Sequence, residues 1–149
     1  MKYSPAHIKD IGSISQETLR HWRKVLPPLA AKKGRNNFSL GDILALLVVK
    51  DLCSSLKIKV SEIIPIAEKL FDLCNPIKWE SYRDNILVYH PATKQLEIYD
   101  GILALNSVVG PAVFININMH IGKVKNYVLG VGTNDQLEIQ FAPRLVRRK

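Results

Sequence analysis

Eight residues between Gln16 and Asn36 carry the side chains best suited to holding an anion. Gln16, Thr18, Arg20, His21 and Arg23 fall within one short stretch of helical character, and Lys33, Arg35 and Asn36 within the basic turn that follows it. The guanidinium of Arg20 presents a fork of donors that matches two acceptors at once, either O6 and N7 of guanine or two oxygens of a phosphate. Gln16 and Thr18 stand near the helix start, where free backbone N–H groups favour phosphate. Lys33 and Arg35 suit backbone contacts, which give affinity without sequence information. His21 faces outward, open to a phosphate, a base or plain solvent. Arg20 and Arg23 also have a plainer reading as solvated helix surface. Trp22 has the shape to stack on a base or sugar, but its i, i+3 spacing from Leu19 turns it towards a core.

The charge distribution supports the same chemistry. The 149 residues carry a net charge of +8, with 47% hydrophobic and 23% charged residues, enough apolar material for a packed core. Residues 1–59 hold 11 Lys/Arg against 4 acids, residues 60–140 hold 6 against 9, and the last nine residues add four bases. Positive charge gathered in one segment suits an anionic partner.

The elements that must position these residues are short and well punctuated. Ser4-Pro5 opens a first helix over about Pro5 to Ile11. Gly12-Ser13-Ile14 makes the turn, with Gly12 free to take a positive φ. Ser15 caps the second helix, Gln16 to about Val25, and Pro27-Pro28 stops it. Lys32 to Asn37 reads as a Gly-centred hairpin tip closed by Phe38. Ser39 caps a third helix, Leu40 to Leu56, with Asp42 completing a short capping box; a cap is a better reading of Asp42 than a catalytic acid. That helix is apolar nearly all round, so it is central. Lys57-Ile58-Lys59 is a break, and Ser61 caps a fourth helix, Glu62 to about Leu73.

After Pro76 the period changes from helical to alternating. Residues 86–90 and 96–99 read as a β-hairpin. Ile102 to Leu105 is a short apolar run. Val113 to Met119 reads as the clearest strand, with Asn116 and Asn118 on its exposed face. Tyr127 to Val131 and Leu137 to Phe141 read as further strands. The fold class is therefore α+β: an N-terminal all-α winged helix-turn-helix domain (residues 1–75), then a small mostly-β domain for dimerisation or ligand binding (76–143), then a basic tail (144–149) that adds nonspecific affinity for DNA.

Residues 1–75 resemble the DNA-binding domain of the MerR family of transcription regulators. The matching pieces are Thr18-Leu19-Arg20-His21-Trp22-Arg23, the stop at Leu26-Pro27-Pro28, Gly34-Arg35-Asn36-Asn37-Phe38, Asp42-Ile43-Leu44-Ala45-Leu46, and Ile58-Lys59-Val60-Ser61-Glu62-Ile63. The resemblance implies a second helix in the major groove and a wing on the flanking phosphates, carried by Gln16, Thr18, Arg20, His21, Arg23, Lys33, Arg35 and Asn36. It implies double-stranded DNA as the partner and a homodimer, with RNA polymerase or a small-molecule effector as the further partners of such a regulator. The chain departs from the family where Asn36 replaces the usual wing arginine and Arg35 takes the preceding position. It also lacks a heptad helix after Asn75, so any dimer must be built by the β-rich segment.

No catalytic constellation is visible: His90, His120, Tyr89, Tyr99 and Asp100 share no productive spacing, and the chain reads as a non-enzyme. Cys53 and Cys74 form no CxxC or Cys/His cluster and read as small buried hydrophobes, so neither a metal nor another cofactor is expected. No apolar run spans a membrane and no signal-peptide pattern opens the chain, which points to the cytoplasm, in a bacterium to the nucleoid. The leading expectation is a sequence-specific regulator of transcription. Its rivals are an architectural, excision or partition protein that bends DNA without an effector, and, from another class, a protein-interaction module.

Overall fold

Ser15 sets the register of the helix that carries most of the candidate residues: its Oγ accepts from the Thr18 backbone N–H at 3.1 Å. A computed structural model describes residues 2–75, 85–101 and 106–130 of the chain. Helix α1 (Pro5–Gly12) leads through three residues into α2 (Gln16–Val25), a helix, short turn and second helix in succession. Leu19 and Trp22 are both buried on one side of α2, as the spacing requires. Ser13, not Gly12, takes the left-handed turn conformation, at φ +53°. Gly12 is helical, and its missing side chain serves a different purpose: a Cβ there would stand 2.6 Å from Leu47 Cδ2.

Pro27-Pro28 ends α2 and at once begins a one-turn helix, α3 (Pro27–Ala30). The expected hairpin over Lys32–Asn37 is corrected. That segment is a loop, and just after it an isolated bridge forms in which Tyr3 and Phe38 exchange backbone hydrogen bonds of 2.8 and 3.2 Å. The one-turn helix uses the residues that a first hairpin strand would need, and the N-terminal chain supplies the backbone partner for Phe38 instead.

Helix α4 (Leu40–Ser54) begins with the expected capping box between Ser39 and Asp42 and is buried along most of its length. It ends two residues before Leu56, and Lys57 turns at φ +56°. Helix α5 (Val60–Cys74) starts earlier than expected, with Lys59 rather than Ser61 at its cap position and Pro65 accommodated inside. Its inward stripe is Ile63, Ile66, Ala67, Leu70 and Phe71, all buried.

The alternating region forms a three-stranded antiparallel sheet of order β2-β1-β3, made of β1 (Asn85–His90), β2 (Gln95–Asp100) and β3 (Val113–Asn116). Leu87 opposes Ile98 on one side and Ile115 on the other; Tyr89 opposes Leu96 and Val113. These side chains join α1, α2, α4 and α5 in one hydrophobic cluster. The expected strand Val113–Met119 is corrected: it stops at Asn116, whose side chain accepts from the Asn118 N–H and caps α6 (Ile117–Leu129). Asn118 thus lies in a helical turn and not on a strand face. The expected strand over 127–131 is likewise helical up to Leu129. Among its described residues, the segment after Asn75 is a mixture of sheet and helix. Buried Ile117, His120, Ile121 and Val124 give α6 an i, i+3, i+4, i+7 face. It packs on α4, α1 and β1. The expectations for 102–105, 137–141, the boundary just after Asn75 and the basic tail lie outside the described residues.

Candidate functional site

The geometry of α2 sorts the candidate residues onto different sides. Gln16, Arg20 and Arg23 are spaced i, i+4 and i+7, so they share one face. With Arg35 from the loop they line a groove of about 370 Å³ between α2 and the start of α1, where Ser4, Pro5 and Ala6 complete the wall. Arg20 and Arg35 are exposed and Arg23 is half-buried. Among the described residues none of the three guanidiniums forms a salt bridge with a carboxylate. Three cations in one concavity repel one another, and a bound anion relieves that repulsion. The N-terminal end of α1 adds the partial positive charge of a helix start at the same wall.

Four candidates lie outside this groove. Thr18 is two residues from Arg20 on a 3.6-residue helix, hence nearly on the opposite side; its hydroxyl accepts from Ser15 Oγ at 2.8 Å. His21 is exposed on the neighbouring strip with Glu17 and Lys24. Lys33 and Asn36 are exposed on the loop beyond Gly34. None of these four lines the groove.

The loop that carries Arg35 is fastened at several points. Lys32 Nζ stands 2.7 Å from Asp42 Oδ2, a carboxylate only 1% exposed. Arg23 Nη2 donates to the Gly34 carbonyl at 2.7 Å, and its guanidinium carbon lies 5.3 Å from the centre of the Phe38 ring. Asn37 Nδ2 donates to the Lys33 carbonyl at 3.0 Å. Gly34 adopts φ +93°, a conformation side-chain-bearing residues rarely take. Lys32, the first cation of the basic loop, is paired with an acid. Nothing local signals this, since its acid lies ten residues on and across a turn. The contribution of Ser4 to Ala6 was missed for the same reason.

Asp42 gathers further partners. Its Oδ2 accepts from the Ser39 N–H at 2.9 Å and its Oδ1 from Asn75 Nδ2 at 3.0 Å. Burial pushes its pKa up, but the bonds from Lys32, Asn75 and Ser39 and the Lys32 charge outweigh burial and hold the carboxyl below its ordinary 3.8. The group is ionised at neutral pH and structural.

A second depression, of about 240 Å³, lies between the end of α4 and β3. Its walls include exposed Leu56, Phe114 and Met119, and its one carboxylate is Asp51. This is apolar surface with no cation and does not suit an anion. Cys74 is buried, and burial followed by the nearby Asp42 charge raises its thiol to about 12; Cys53 is half-buried and raised by burial. Both thiols stay protonated at neutral pH. Among the described residues no group of three or more His, Cys, Asp or Glu side chains is placed to hold a metal ion, and no helix is long and apolar enough to cross a membrane. Comparison of the chain with protein-family models, with curated proteins and with solved structures finds no match.

Proposed function

We propose that the groove between α2 and α1 receives the phosphodiester backbone of double-stranded DNA, and that the chain is a sequence-specific, MerR-like winged helix-turn-helix regulator of transcription. The observation that carries this reading is the meeting of Arg20, Arg23 and Arg35 with Gln16 in one groove, with no carboxylate salt bridge to any of the three among the described residues. A phosphate seated there accepts chiefly from Arg35, the Arg23 fork being held by the Gly34 carbonyl, while the exposed side of α2 with Arg20 and His21 is turned to the groove floor of the duplex. Lys33, Arg35 and Asn36 extend the contact along the flanking backbone, the task of a wing even without a hairpin ladder.

Helix α2 has ten residues and spans about 15 Å. A rod of that length meets only a few base pairs, so specificity calls for two copies on two half-sites. We therefore propose a homodimer, built by the segment after Asn75.

Selection of bound duplexes from a randomised pool, repeated at several salt concentrations, tests the reading. Enrichment of an inverted repeat is the expected result. Tight, motif-free binding with bending would support the architectural alternative. No binding at low salt would remove DNA as the partner and favour a protein-interaction module.

A further inference from the structure

Among the described residues, Arg23 is bound on two sides, and Arg20 and Arg35, which share its groove, are not. Its Nη2 donates to the Gly34 carbonyl at 2.7 Å, eleven residues along the chain. Its guanidinium lies over the buried Phe38 ring at 5.3 Å. A guanidinium that stacks and donates at once has its plane fixed by the ring and its fork fixed by the carbonyl. Lysine has no such plane. The carbonyl it meets belongs to Gly34, whose φ of +93° sets the turn immediately before Arg35.

We infer that Arg23 is a positioning residue: it clamps the 32–37 loop onto α2 so that Arg35 is held beside Arg20 before any ligand arrives. This rests on the DNA-binding reading for its purpose, but the clamp itself is a property of the free chain. The loop is tied at its start by Lys32 to Asp42, at its turn by Arg23 to Gly34, within itself by Asn37 to Lys33, and at its end by the Tyr3–Phe38 bridge. Such a loop has already lost the freedom that a floppy basic arm loses on binding, so more of the Arg35 contact appears as affinity. Of these ties only Arg23 joins the loop to the helix that bears Arg20.

Two readouts on the full chain test the inference. The first is limited digestion by trypsin without DNA, scoring cleavage after Lys33 and Arg35. Losing one charge-assisted hydrogen bond should raise the opening of the loop, and so cleavage there, about tenfold or more in Arg23→Gln, with Arg23→Lys failing to restore protection and the melting temperature nearly unchanged. The second is duplex binding by Arg23→Gln, Arg35→Gln and the double variant. Through a clamp, Arg23→Gln weakens binding when Arg35 is present and adds little once Arg35 is gone. Unchanged cleavage in Arg23→Gln, protection restored in full by Arg23→Lys, or additive losses in the double variant would each overturn the inference. If the wild-type chain binds no duplex, the DNA reading fails, and the trypsin result alone decides the clamp.

Discussion

Lys32 Nζ stands 2.7 Å from Asp42 Oδ2, so the root of the basic loop is pinned to the first turn of the central helix. Asp42 also completes the α4 cap with Ser39 and receives Asn75 from the end of α5. One buried carboxylate thus joins loop, α4 and α5. Removing Asp42 takes the acceptor from the Ser39 N–H and Asn75 Nδ2 and the counter-ion from the partly exposed Lys32. Asp42→Ala is expected to cost about 3 kcal/mol, within the range for breaking a buried, hydrogen-bonded pair. The sign of its pH dependence is fixed by the lowered pKa. The contribution is complete above the unfolded carboxylate value and is lost as pH falls through the lower folded value. Urea denaturation of wild type and Asp42→Asn from pH 7 downward checks this: the gap between them should be constant near neutrality and narrow below about pH 4.

His120 couples α6 to α4. Its Nε2–H donates to Asp51 Oδ2 at 2.6 Å, the imidazole is 4% exposed, and Nδ1 is buried with no partner among the described residues. Burial lowers its pKa below 6.5, outweighing the pull of Asp51; Lys123 and Lys50 lower it further. The unfolded chain therefore binds this proton more readily than the folded one. Stability should fall as pH drops from about 7 through 6.5 towards the folded value. His120→Phe keeps an apolar side chain on the α6 core face and leaves Asp51 half-exposed. Its denaturation midpoint should lose that part of the wild-type pH slope between pH 7.5 and 5. An identical slope in both proteins would assign the titration elsewhere.

Tyr89, next to the last residue of β1, has its side chain fully buried and, among the described residues, its hydroxyl unpaired. A buried, unpaired hydroxyl has lost its hydrogen bonds to water and gained none in return. Tyr89→Phe should therefore leave stability unchanged or raise it by up to about 1 kcal/mol. A thermal or urea denaturation curve shifted clearly downward would mean that the hydroxyl has a bond in solution.

Much of the helical half was legible in the sequence because its signals are local. Ser15 and Ser39 with Asp42 mark helix starts by chemistry that acts within three residues, and Leu19 with Trp22 marks a buried face by spacing alone. The Ile86–His90 and Leu96–Tyr99 alternation likewise located a hairpin. The failures occur where one pattern fits two periods. Val113 to Met119 alternates, yet Ile117, His120, Ile121 and Val124 also repeat at helical spacing, and the Asn116 cap decides between them. The groove between α2 and α1 was half legible. The i, i+4, i+7 relation of Gln16, Arg20 and Arg23 is visible in the sequence. The opposite placement of Thr18 follows from the same geometry and was overlooked. The pairing of Lys32 with Asp42 and the clamp of Arg23 on Gly34 are tertiary contacts with no local mark.

The most direct test of the central claim is fluorescence anisotropy of a labelled duplex from the selection, titrated with wild type, Arg20→Ala and Lys33→Ala across salt concentrations. The DNA-binding account expects steep salt dependence in the wild type, with each neutralised phosphate contributing about 0.9 to the logarithmic slope. Lys33→Ala should weaken all sequences alike and shrink that slope by about 1, whereas Arg20→Ala should lower both affinity and the preference for the selected motif. Equal binding by all three proteins, or no binding by the wild type at about 50 mM salt where phosphate contacts are strongest, would contradict it.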